Sequence, residues 1–248
     1  MRTITTAARA TSDTLLVGER QVQARISDRW YGAAMNRIVS IAGAAALAFA
    51  GFAAVTAAQP AAQMWEIGPF VQGQNKSVGM PTSMTPSRDG PYFDFPYPTA
   101  RAGHVHYVTL PVRSLEGARK IILTYRIDAQ RGTRFIPQEN PAETATLSLY
   151  FQRAGDRWTR KYPLHRWYAP ANRQMTLRPG THRVSIALDE PWMSVLGGQT
   201  PQSQQQGFAA ALRDTQRVGF VLGSGSGRGH GVYATAPARF TILDFEIE

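Results

Sequence analysis

The strongest constraint on how this chain folds is a series of short apolar runs with a period of two, separated by turn-forming residues. The runs are HVHYVTLPV (104–112), KIILTYRI (120–127), ATLSLYFQR (145–153), HRVSIAL (182–188), RVGFVLG (217–223) and ARFTILDFEI (238–247). Each is rich in β-branched or aromatic residues, and none is long enough to compete as a helix. In ATLSLYFQR, Leu147, Leu149 and Phe151 share one face and Thr146, Ser148, Tyr150 and Gln152 the other. This pattern predicts an antiparallel strand buried on one side. In the last run, strict alternation sets Phe240, Ile242 and Asp244 against Thr241, Leu243, Phe245 and Ile247, with the middle of the strand covered on both sides.

Only residues 202–216 carry helical spacing, through Phe208, Ala211 and Leu212, with Pro201 just ahead of the start. The connectors at 79–91, 136–143 and 223–231 are rich in glycine, proline and small polar residues. The expectation is an all-β fold, a two-sheet antiparallel β-sandwich of jelly-roll type with one short helix, formed by residues 58–248 as a single domain.

Residues 35–57 have the three parts of an export signal: Arg37, an uncharged run from Ile38 to Val55, and small side chains at Val55 and Ala57. Cleavage is expected after Ala57, or else after Ala58. The run is near the length of a bilayer span. It is only weakly hydrophobic, however, and no basic stop-transfer cluster follows, so cleavage is expected rather than stable membrane insertion. Residues 1–34 precede this signal and lack sustained periodicity. They are expected either not to be made, with translation starting at Met35, or to form a long disordered n-region. The product is placed in the periplasm or outside the cell, within the bacterial envelope.

Six of the 27 basic and three of the 17 acidic residues precede position 58, which leaves 21 against 14 in the exported part. The charges are scattered and no nucleic-acid-binding motif is present, so nucleic acid is not expected as a partner. The absence of cysteine excludes disulfides, a thiolate nucleophile and cysteine-ligated zinc.

The stretch from Arg217 to Glu248, read with FDFP (93–96), HVHYVTLPV and WMSVLG (192–197), resembles secreted bacterial β-sandwich proteins of the galactose-binding or carbohydrate-binding-module jelly-roll type. That resemblance implies sugar binding; a clear acidic calcium loop is missing.

Sugar binding needs flat aromatic surfaces beside hydrogen-bonding groups. The densest candidate is RWTRKYPLHRWYAP (157–170), with Trp158, Arg160, Tyr162, His165, Arg166, Trp167 and Tyr168. Its guanidinium groups suit uronate or sulfate, so the expected partner is a glycan or an acidic envelope polymer. The competing reading makes Trp158 and Trp167 packing residues, as Trp65 and Trp192 are expected to be.

The glycine-rich GSGSGRGHG (223–231) lacks the lysine and hydroxyl residue of a phosphate loop and precedes a strand. It is read as a hairpin connection, or as a mobile loop that brings Arg228 and His230 over a binding face. His104 and His106 leave one face of a strand in an HxH pair, a weak metal candidate. No acidic residue follows at positions 107–115, so a third ligand would have to come from His165, His182 or His230. No cofactor is expected. The acids Asp128, Glu139, Glu143, Asp156, Asp189, Glu190 and Asp214 have no catalytic spacing, so a non-enzymatic binding role is favoured. The alternatives are a structural or assembly protein of the envelope and a polysaccharide hydrolase or lyase.

Overall fold

The computed structural model describes residues 59–98 and 105–248. The export signal, the segment ahead of it and His104 lie outside the described residues. In chain order the strands are β1 (Glu66–Gly68), β2 (Phe70–Val71), β3 (Gln74–Asn75), β4 (Tyr92–Asp94), β5 (His106–Pro111), β6 (Lys120–Ala129), β7 (Phe135–Pro137), β8 (Thr146–Arg153), β9 (Arg166–Tyr168), β10 (Met175–Thr176), β11 (Gly180–Ala187) and β12 (Met193–Ser194). The helix α1 (Gln205–Arg213) follows, then β13 (Thr215–Gly223), β14 (Val232–Ala234) and β15 (Ala238–Ile247).

A seven-stranded sheet has the order β1-β5-β13-β8-β9-β12, with β10 also paired to β8; a four-stranded sheet has the order β11-β6-β15-β4. All pairings are antiparallel. The long strands β5, β6, β8, β11, β13 and β15 alternate between the two sheets, so the chain crosses the core at each connection, as in a jelly roll. The fold is thus the expected all-β sandwich.

The period-two pattern explains the core between the sheets. Val108 and Leu110 of β5, Leu147, Leu149 and Phe151 of β8, and Val218, Phe220 and Leu222 of β13 all turn inward. They meet Leu123, Tyr125 and Ile127 of β6 and Phe240 and Ile242 of β15. Phe240 stacks between the sheets, with ring centroids 4.9 Å from Phe220 and 4.7 Å from Tyr125. Trp65 and Trp192 are fully buried, as expected. The helix covers one end of this core with Phe208, whose ring meets Trp167 edge-on at 4.8 Å.

Two expectations need correction. Alternation in β15 is interrupted by a bulge between Ile242 and Asp244, so Phe240, Ile242 and Phe245 all reach the core. Strict alternation would have driven the Asp244 carboxylate inward, and the extra residue prevents that cost. Strand β8 is also not half-buried. Ser148, Tyr150 and Gln152, on its outer face, are as inaccessible as the core residues.

Candidate functional site

The outer face of β8 is buried because two loops fold across the seven-stranded sheet. The first runs from 154 to 165 and the second from 224 to 231. Beneath them lies a second aromatic cluster of Tyr107 from β5, Tyr150 from β8, Tyr168 from β9 and Val221 from β13, with Trp158 packed on top. Tyr107 meets Tyr150 edge-on at 4.9 Å and Trp158 edge-on at 4.9 Å.

A polar network holds the first loop in place. Asp156 is entirely withdrawn from solvent and pairs with Arg166 at 2.9 Å. The Tyr150 hydroxyl donates to Gln152 Oε1 at 3.0 Å, and Gln152 Nε2 donates to Asp156 Oδ2 at 3.1 Å. The Trp158 amide donates to Asp156 Oδ1 at 3.0 Å, an Asx-type turn. This turn fixes Trp158 at φ 59°, a left-handed conformation that costs a bulky residue about 1–2 kcal/mol. The Arg166 guanidinium lies 4.8 Å from the indole centroid, on its face, and helps offset that cost.

The glycine-rich loop is tied to neighbouring segments by hydrogen bonds. The backbone N–H and hydroxyl of Ser226 both donate to Glu143, Asn140 donates to the Ser226 hydroxyl, and His230 pairs with Glu139. Gly229, at φ 80°, comes so close to Tyr107 that a Cβ there would sit 2.7 Å from the ring. Only glycine permits this closure. The Tyr168 hydroxyl donates to the Arg228 carbonyl at 2.9 Å, and Arg228 donates to the Ala169 carbonyl.

Burial sets the chemistry of these phenols. It raises Tyr107 and Tyr150 well above the ordinary tyrosine value, and it pushes Tyr168 up to about 12 against the opposing effects of the Tyr107 hydroxyl and nearby arginines. All three stay protonated and act as donors, not bases.

Beside this cluster the outer face opens into a pocket of about 160 Å³. Its lining joins two aromatic side chains, Trp158 and Phe70, to Glu66, Tyr107, Thr109, Gln152, Gln216 and Arg217. Phe70 is carried by the β2–β3 hairpin, whose turn residues Gln72 and Gly73 both have positive φ, 51° and 77°. The Arg217 Nη2 pairs with Glu66 at 2.8 Å, and its Nε donates to Thr109 at 3.0 Å. Gln216 reaches the pocket because β13 is bulged between Thr215 and Arg217, which leaves Gln216 outside the ladder with β8.

The residues expected to bind ligand therefore separate. Trp158 borders the pocket and Tyr168 lies in the cluster below. Trp167 is corrected outright: it faces the core between the sheets, fully buried, with its indole N–H donated to the Leu164 carbonyl at 2.8 Å. Arg166 is buried in its ion pair with Asp156. Tyr162 and His165 stack on each other at 4.7 Å and, like Arg160, take no part in the pocket lining. Burial and the neighbouring Arg153 lower the His165 pKa. Arg228 holds loop to sheet, and His230 is exposed in its pair with Glu139.

The HxH reading also changes. His106 shares the inward face of Val108 and Leu110, is fully buried, and accepts the Val232 N–H at Nδ1 at 3.1 Å. His182 lies in β11 and bonds the Arg178 carbonyl at 2.9 Å. Among the described residues no group of three His, Asp or Glu side chains is placed to hold a metal ion.

A larger open groove, about 660 Å³, lies on the outer face of the four-stranded sheet. Most of its charged groups pair with one another: Arg126 with Asp89 and Asp128, and Arg239 with Asp94 while covering the Tyr92 ring. This groove reads as a solvated charged face. The small pocket is the better candidate because it brings polar groups and two aromatic side chains into one confined space.

Comparison with protein-family models, with curated proteins and with solved structures gives no match. The site therefore rests on its geometry. Phe70, Glu66, Thr109, Gln152, Gln216 and Arg217 are lining residues that sequence reading missed. A local signal existed only for Phe70, in the Gln72-Gly73 turn; the others meet through pairing of strands distant in sequence.

Proposed function

We propose that this protein is a non-catalytic, glycan-binding β-sandwich of the bacterial envelope, exported to the periplasm or beyond, which holds a sugar between Trp158 and Phe70. The observation that carries this reading is the pocket itself, which gathers the aromatic side chains of Trp158 and Phe70 with amide, carboxylate and guanidinium groups on the outer face of a sandwich sheet. Aromatic faces suit the C–H surface of a pyranose, and the amide, carboxylate and guanidinium groups beside them suit its hydroxyls. Sugar binding is also what the resemblance read from the sequence alone implies.

The pocket chemistry favours binding over catalysis. Acid–base cleavage of a glycosidic bond needs two carboxylates free to exchange protons, and elimination needs a base. Here Glu66 is engaged by Arg217, and Asp156, withdrawn from solvent within the 154–165 loop, is paired with Arg166. The Tyr107 phenol, raised by burial, holds its proton. Among the described residues of the pocket no group is left in the role of base.

A glycan array probed with the parent protein and with Phe70→Ala tests this reading. Phe70 is 40% exposed, so its truncation leaves the fold intact. Binding of the glycans captured by the parent should weaken by about 1–2 kcal/mol. Capture of no glycan, or capture indifferent to Phe70→Ala, contradicts the proposal.

A further inference from the structure

Resting on the reading of this pocket as a glycan site, we infer that it takes a single uncharged hexose ring, read through neighbouring hydroxyls by the Glu66–Arg217 pair, and that it discriminates against acidic sugars.

Size gives the first limit. At about 160 Å³ the pocket lies well below the roughly 300–1,000 Å³ of sites for drug-sized ligands. Phe70 of the β2–β3 hairpin and Trp158 of the 154–165 loop both line it. A space of this size takes one ring rather than a chain.

Charge gives the second limit, and it differs from the acidic ligand that the arginine-rich composition suggests. Arg217 already has its counter-ion in Glu66 at 2.8 Å, and its Nε is committed to Thr109 at 3.0 Å. The next guanidinium, that of Arg166, lies against the Trp158 ring and is neutralised by the buried Asp156. A uronate carboxylate thus meets no cation lacking a partner and must approach the Glu66 carboxylate. A hydroxyl faces no such penalty. One sugar hydroxyl donates to Glu66, which is partly exposed at 40%, while its neighbour accepts from the Arg217 guanidinium. Gln216, free of the ladder with β8, supplies a further amide.

The test is a calorimetric titration of the protein with D-galactose, D-glucose and D-mannose, and with D-galacturonate and D-glucuronate at matched ionic strength. At least one neutral hexose should bind tenfold or more tightly than its uronate, and lengthening it to an oligosaccharide should improve affinity no more than a few-fold. Glu66→Gln, at a partly exposed position, should narrow or reverse the preference by releasing Arg217 for the uronate. A uronate that binds as tightly as its hexose and loses affinity in Phe70→Ala overturns this inference while leaving the glycan reading in place. An unchanged preference in Glu66→Gln also overturns it. Binding by none of these sugars, together with an empty glycan array, overturns both.

Discussion

Trp158 and Trp167 lie nine positions apart in one aromatic and basic stretch, yet they end on opposite faces of the same sheet. Trp167 occupies the centre of β9 and turns into the core against Phe208, while Trp158 sits in a loop above the outer face. Sequence reading cannot separate them, because β9 is only three residues long, hemmed by Pro163 and Pro170, and too short for a period of two to show. Truncation separates them sharply. Trp167→Ala should cost about 3–5 kcal/mol of unfolding free energy in urea, the range for a fully buried large ring. Trp158→Ala, which exposes part of a smaller cluster, should cost about 1–2 kcal/mol and remove glycan binding. Equal losses from the two variants would mean that Trp158 is packing rather than a binding wall.

At the scale of elements, all six runs with clear alternation form strands and the single helical pattern forms α1, with boundaries shifted by at most a few residues. What alternation alone does not reveal is where it breaks and what covers it. The bulge in β15 follows from the need to keep Asp244 out of the core, and the bulge in β13 turns Gln216 toward the pocket; each depends on a partner strand far away in sequence. The covered outer face of β8 likewise depends on loops that come from two distant segments. Its consequence is measurable at high pH. Tyr107, Tyr150 and Tyr168 have pKa values raised in the fold above that of the unfolded chain, near 10. Protons are therefore held more tightly by the native state. The stability linked to them is fully present below about pH 10 and is lost as pH rises toward the folded values, about 12 for Tyr168. Urea stability should be level up to about pH 10 and then fall, with a late step of phenolate absorbance coincident with unfolding. A single phenolate step with far-ultraviolet dichroism unchanged would show that the cluster is open to solvent.

For the whole molecule, the sandwich fills its core from both sheets and leaves the binding apparatus to the outer face of the larger one. The all-β class was legible because period-two runs leave few architectures, and the absence of cysteine places the burden of stability on packing. The pocket was not legible, since its walls come from the hairpin at Phe70 and the loop at Trp158, joined only when β1, β5, β13 and β8 align in one sheet. Trp158 is also the one tryptophan among the described residues that is not fully buried; Trp65, Trp167 and Trp192 are sealed in the core. That contrast makes the indole N–H resonances of the protein, titrated with the best-binding neutral hexose, the most direct test of the site. The Trp158 signal, assigned by its loss in Trp158→Phe, should shift progressively to saturation at the calorimetric affinity while those of Trp65, Trp167 and Trp192 stay in place. A sugar that binds with the Trp158 signal unmoved would place the ligand elsewhere and contradict the account.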